Sequence, residues 1–236
     1  MTKSGKDKRA GEKKTQKPSA SGESRLRRDV LDTALAMSRS GLSPCRSGNV
    51  SCRFADGMLI TPTGLAYEDI GPKDIVFVAA DGSVPGKQRK PSSEWQFHFA
   101  AYQARPDMNA VVHTHSLHAV VLASAGRSIP AFHYMVAVAG GADIPLVPYA
   151  LFGSAELAEH VARGLQDRKA CLMAHHGAIA MGETLASALE LAHEVEVLAE
   201  QYYKLLLLGP PRLLTDAEMQ EALERFKSYG QNAQER

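Results

Sequence analysis

Cysteine is scarce and badly spaced for a scaffold. Cys45, Cys52 and Cys171 are the only three, no two form a C-x-x-C pair, and any disulfide pairing leaves one thiol over. A disulfide framework is therefore not expected, and the compartment reads as reducing, with a cytoplasmic location. No apolar run approaches the roughly 18 residues that span a bilayer, and the N-terminus lacks the apolar stretch of a secretory signal. No membrane partner is expected. Neither a Walker A pattern nor G-x-G-x-x-G occurs, which leaves nucleotide binding without a positive signal, and there is no internal repeat.

The formal net charge of +1 hides an asymmetry. Residues 1–24 carry seven Lys or Arg against Asp7, Glu12 and Glu23, a local +4, so the remainder of the chain is near −3. A body of that sign has no global pull toward nucleic acid. Residues 1–23 contain no aromatic side chain and almost nothing to bury, and they read as a disordered basic tail. The remaining residues, 24–236, are the length of one globular domain with a full core.

Apolar residues at helical spacing between Leu26 and Met37, stopped by Gly41, predict one amphipathic helix. Two short runs, 49–54 and 58–61, flank Asp56-Gly57, a dipeptide suited to a tight hairpin turn, and 75–79 reads as a third strand. Pro91-Ser92-Ser93-Glu94 opens a helix running to about Ala104. Strands are expected at 109–115 and 170–174, and helices at 116–125, 155–166 and 185–208. Thr215-x-x-Glu218 forms a capping box at the head of a last helix over 215–228. Intermixed helices and strands with a hairpin among them favour an α/β or α+β layered domain.

Histidine carries the chemistry. In His113-Thr114-His115 the two imidazoles share one strand face, because the side-chain period of a strand is two, and two neutral imidazoles are half of a metal site. In His175-His176-Gly177 adjacent residues face opposite ways, so one histidine of the pair can join them, and spacing alone leaves open which. Gly177 permits the close backbone approach that a site at a strand end needs. Glu94 is the acidic candidate, in a helical first turn where a carboxylate also serves as a cap. His98 shares its face, as a rival ligand or a packing partner. Three imidazoles and one carboxylate complete a zinc-type tetrahedron. Turns at Ser47-Gly48-Asn49, Thr61-Pro62-Thr63-Gly64 and Ser92-Ser93 offer hydroxyls and free backbone N–H groups of the kind that cradle an anion.

In Ser47-Gly48-Asn49-Val50-Ser51, Leu59-Ile60-Thr61-Pro62-Thr63-Gly64, Pro91-Ser92-Ser93-Glu94, Val111-Val112-His113-Thr114-His115, Ile129–Met135, Tyr149-Ala150-Leu151-Phe152-Gly153 and His175-His176-Gly177, the chain resembles the class II aldolase/adducin family from about Leu26 to Gly230. The resemblance implies a single α/β domain with a central, largely antiparallel sheet flanked by helices. It implies a homotetramer with active sites between subunits. It places one Zn²⁺ per chain on Glu94, His113, His115 and His176, and substrate phosphate on Gly48, Asn49, Thr63, Gly64, Ser92 and Ser93. Glu94 is implied to move protons as well as to bind metal, Tyr134 to serve a neighbouring subunit's site, and Phe152 and Tyr229 to line the aldehyde side. Two stretches depart from the family pattern, Ser43-Pro44-Cys45-Arg46-Ser47 and Lys90, both beside the phosphate positions.

The activity implied is zinc-dependent, reversible cleavage of L-fuculose 1-phosphate, or a close deoxyketose 1-phosphate, to dihydroxyacetone phosphate and L-lactaldehyde or a similar aldehyde. A lysine Schiff base on Lys90 or Lys169 would do analogous work without metal, and the full ligand set makes it unnecessary. Within the same resemblance a pentulose-5-phosphate 4-epimerase is the alternative, usually with Asp at the position of Glu94. A non-catalytic, adducin-like interaction module, typically without the ligands, is a third reading.

Overall fold

Alternation along the strands decides the architecture. The computed structural model describes residues 20–228; residues 1–19 of the expected tail, and Tyr229, lie outside them. Six α-helices and seven strands are found there: α1 (Ala20–Arg39), β1 (Asn49–Phe54), β2 (Gly57–Ile60), β3 (Val76–Val78), α2 (Trp95–Ala104), β4 (Ala110–Thr114), α3 (Leu117–Ser124), β5 (Leu146–Val147), α4 (Ala155–Leu165), β6 (Ala170–Met173), β7 (Gly177–Gly182), α5 (Leu185–Leu208) and α6 (Asp216–Lys227). They build one sheet in the order β3-β2-β1-β4-β7-β6-β5, antiparallel except where β5 meets β6.

Both faces of this sheet are covered, because alternate residues of most strands are apolar on each side. Ala110 and Val112 of β4 join one core, with Val50, Leu59, Leu172 and Ala178, under α1, α3 and α5. Val111, Ile60, Met173 and Ile179 join a second core beneath α2 and α4. Fully burying one such aliphatic side chain contributes about 1.5–3 kcal/mol, so this two-sided pattern is a strong determinant of register.

Helix α1 starts at Ala20, ahead of the expected boundary at Ser24, and Glu23 pairs with Arg27 one turn on, at 2.7 Å. The β1–β2 hairpin turns on Ala55 and Asp56, and not on Asp56-Gly57: Phe54 pairs with Gly57, and Ala55 takes a left-handed φ of 51°. Gly57 is instead required by packing, since a Cβ there would lie 2.0 Å from the Val78 carbonyl oxygen of β3. Two strands go beyond the sequence reading, β5 and β7. The turn after β6 precedes Gly177, and Gly177 opens β7 with the space for its Cβ filled by the Thr114 carbonyl oxygen at 2.2 Å, the close backbone approach expected of it. The C-terminal ends of β4 and β6 and the start of β7 thus meet at one point, and α2 begins opposite them.

Candidate metal centre and adjoining depression

His113 sits on the face of β4 that looks toward α2, fully buried. Its Nδ1 lies 2.9 Å from the Ala178 carbonyl oxygen of β7. A carbonyl only accepts, so the proton is on Nδ1 and the Nε2 lone pair points into the cleft. His115 follows one residue past the end of β4, and its Nε2 lies 2.9 Å from that of His113. The same-face expectation for these two holds.

The choice within His175-His176 is made by a turn. Both residues lie between β6 and β7, where His175 adopts a left-handed φ of 56° and meets the Tyr149 ring edge-on. His176 is the one that enters the cleft, its Nε2 2.9 Å from Glu94 Oε1. Glu94 stands at the N-cap of α2, but its side chain makes no capping hydrogen bond. The carboxylate turns instead into the cleft, with Oε2 3.3 Å from His113 Nε2 and accepting from Asn49 Nδ2 at 2.8 Å.

The donor atoms of Glu94, His113, His115 and His176 lie within 4.8 Å of one another. The His113 lone pair and a carboxylate oxygen face each other, an arrangement that needs a cation. Three imidazole nitrogens and one carboxylate oxygen suit a divalent metal. Burial alone would raise the Glu94 carboxyl, but the facing His113 and His176 outweigh it, favour the ionised form and hold the group well below the usual carboxylate range. Burial, reinforced by His113 and His176, lowers His115 to about 3, so it presents a neutral ring.

His98 is not a ligand. It is fully buried behind the cluster, lowered to about 3 by burial and then by His113, and bonded to Ser51 and Asn49.

Gly48, Asn49, Thr63, Gly64, Ser92 and Ser93 line one small depression that reaches Glu94. Several of the amides expected to be free are engaged: Gly48 N–H donates to Ser43 Oγ, Thr63 N–H to the Lys90 carbonyl and Ser92 N–H to the Thr61 carbonyl. The hydroxyls of Thr63 and Ser93 remain, with that of Ser92, whose oxygen accepts from the Glu94 N–H at 3.3 Å. To them the structure adds Arg46, among the described residues the only Lys or Arg that lines this depression or the wider one beside it. Cys45 and Arg46 have φ of 56° and 70°, a left-handed pair without glycine, and such backbone costs energy that tends to be retained at functional sites. No periodicity in the sequence signals that placement; the departure at 43–47 is its only trace.

Phe152, exposed, lines the wider depression with Glu94, His115, His176, Tyr149 and Arg46. Tyr134 lies outside both. It is 54% exposed and stacks on Phe226 of α6 at 6.4 Å between ring centroids.

One strand end, the turns beside it and the start of α2, bringing four side chains suited to a divalent metal together next to a hydroxyl-lined hollow, define a metal-dependent enzyme. The Class II Aldolase and Adducin N-terminal domain matches residues 28–203, and the chain belongs to the class II aldolase/adducin family. It is 53% identical over 213 residues to an L-fuculose phosphate aldolase of Escherichia coli, covering 89% of this chain and 98% of that one. It is also 53% identical over 209 residues to a 5-methylthioribulose-1-phosphate/5-deoxyribulose-1-phosphate aldolase of Rhodospirillum rubrum, covering 89% and 94%. A solved L-fuculose 1-phosphate aldolase superposes with a TM-score of 0.83 at 36% identity, over 86% of this chain and 96% of that one. No helix among the described residues is long and apolar enough to cross a membrane.

Proposed function

We propose that the protein is a zinc-dependent aldolase that reversibly cleaves L-fuculose 1-phosphate, or a close deoxyketose 1-phosphate, to dihydroxyacetone phosphate and L-lactaldehyde or a similar aldehyde. The observation that carries this reading is the convergence of Glu94, His113, His115 and His176 at the mouth of the hydroxyl-lined depression. The substrates in the names of the Rhodospirillum rubrum relative and of the solved L-fuculose 1-phosphate aldolase are ketose 1-phosphates. They share the half of the molecule that becomes dihydroxyacetone phosphate and differ in the aldehyde.

The phosphate rests among Gly48, Asn49, Thr63, Gly64, Ser92 and Ser93, with Arg46 supplying charge at the rim. A divalent ion on the four ligands supplies the positive charge that stabilises electrons released beside a carbonyl. In cleavage the C4 hydroxyl loses its proton, the C3–C4 bond breaks as the aldehyde C=O forms, and the electron pair stays on the C3 side. Glu94, protonated from water, delivers that proton to C3 while the C4 proton returns to water; in the reverse direction Glu94 removes one. Tyr134 exchanges the proton of the C4 oxygen. Its exposure away from its own chain's cleft supports service to a neighbouring copy in a homotetramer. Phe152 and Tyr229 face the aldehyde. The working unit is residues 24–236, the basic residues 1–23 take no part, and the enzyme acts in the cytoplasm.

The test is purified protein against a panel of ketose phosphates, with coupled detection of dihydroxyacetone phosphate and metal analysis. About one zinc per chain and product release from L-fuculose 1-phosphate or 5-deoxyribulose 1-phosphate are expected. Interconversion of L-ribulose 5-phosphate and D-xylulose 5-phosphate, with no dihydroxyacetone phosphate from any ketose 1-phosphate, overturns the reading.

A further inference from the structure

Behind the metal ligands, two polar stripes face each other across the second core. On β1 the residues Asn49, Ser51 and Arg53 recur at the strand period of two; on α2 and its cap Glu94, His98 and Tyr102 recur every four. Two strand residues advance about 6.6 Å and four helical residues about 6 Å, so the stripes stay in step. The contacts follow the pairing. Asn49 Nδ2 is 2.8 Å from Glu94 Oε2, and Asn49 Oδ1 is 2.5 Å from His98 Nε2. Ser51 Oγ is 2.7 Å from His98 Nδ1 and 2.8 Å from Tyr102 Oη. Arg53 closes the row, its guanidinium 4.7 Å over the Tyr102 ring.

Each hydrogen in this row has one possible place. A carboxylate only accepts, so Asn49 must turn Nδ2 toward Glu94 and Oδ1 toward His98. His98 then has to carry its proton on Nε2, leaving Nδ1 to accept from the Ser51 hydroxyl, which in turn accepts from Tyr102. The sense of the whole line is set by Glu94, which only accepts, and runs out at the Tyr102 hydroxyl. Asn49, His98, Ser51 and Tyr102 are all buried, so no solvent can substitute for a missing partner, and a half-satisfied line is costly.

The geometry points to His98 as a positioning residue for Glu94: through its Nε2–H it locks the Asn49 amide in the one orientation that donates to Glu94 Oε2. An Asn49 amide released from that lock can turn over and present Oδ1 to the carboxylate, which repels it from the place where it must both meet the metal and reach the substrate carbon. This role rests on the aldolase reading above.

Nitrogen-15 NMR of the metal-free wild-type protein tests the lock directly. The expected result is a His98 ring protonated on Nε2 and not on Nδ1; the opposite tautomer overturns the proposal. In turnover, His98→Leu is expected to lower kcat tenfold or more while KM for the ketose phosphate changes less than threefold, and His98→Gln, which keeps an N–H donor, to recover most of the loss. In competition with a chelator, His98→Leu is expected to bind zinc about 10–100-fold more weakly, as outer partners of ligands do. Added to Asn49→Ala, His98→Leu is expected to cost little more, because it acts through that amide. If Gln rescues no better than Leu and both variants lose activity only in step with melting temperature, or if the two losses multiply, His98 is packing alone. Should wild-type protein cleave no ketose phosphate, the aldolase reading fails, while the tautomer and the chelator competition still decide the lock.

Discussion

The two faces of the sheet are made from the same strands and do different work. On the face under α1, α3 and α5, β1 presents Val50 and Cys52 and β4 presents Ala110 and Val112, all apolar and all buried. On the face under α2, the neighbouring residues Asn49, Ser51 and His113 are equally buried and polar. The first face supplies stability that depends on volume; the second carries an apolar core of its own beneath α2 and α4 and, beside it, holds the Glu94 carboxylate through a chain of buried hydrogen bonds. Separating them on alternate residues lets one backbone serve both demands.

The sharpest break in this comparison is Glu94→Gln. Turnover is expected to fall by about 10²–10⁴, with some zinc retained and little change in melting temperature of the loaded protein, read by metal analysis and calorimetry. Tyr134→Phe asks whether the chemistry is confined to the polar face, since Tyr134 packs with α6. Turnover should fall about a hundredfold with smaller change in KM and an unchanged oligomer by light scattering; an unaltered kcat removes Tyr134 from the mechanism. On the apolar face Leu172→Ala should show the converse pattern. Its side chain is fully buried, so unfolding free energy should drop by about 2–5 kcal/mol in denaturant titration, with kcat per folded molecule unchanged.

Acid sharpens the contrast again. His98 is lowered to about 3 in the fold by burial and then by His113, against about 6.5 for an unfolded histidine. Between those values the unfolded chain binds the extra proton, so stability of the metal-free protein falls as pH is lowered from 7 toward 4. The melting temperature should follow, with a shallower slope in His98→Leu. The smallest effect is expected from deleting residues 1–19, which should leave turnover and melting temperature within error, since they contain no aromatic side chain and almost nothing to bury.

Much of this was legible in sequence where local physics dominates. The helix at 185–208, the strand at 49–54 and the Thr215 capping box are found at the expected places, because periodicity and capping are nearest-neighbour effects. Strand β7, Gly-Ala-Ile-Ala-Met-Gly, was not, since four of its six residues are Gly or Ala and leave Ile179 as its one β-branched residue; a Cβ on Gly182 would lie 2.4 Å from the Ala188 nitrogen of α5. The ligand set needed the family resemblance to choose His176, and the reason is visible only in three dimensions: the pair sits in a turn, where the strand alternation rule does not apply. The Asn49–His98 lock and the placement of Arg46 likewise depend on residues brought together from distant parts of the chain.

The pairing of Asn49 with His113, and of His113 with Ile179, has one more consequence. A slip of β4 by a single residue would send His113 to the apolar face and bring Val112 to the cluster, leaving the cation without its central ligand. Retention of a cation by this cluster would therefore report that β4 is in register, whereas absence of the cation would not report a slip.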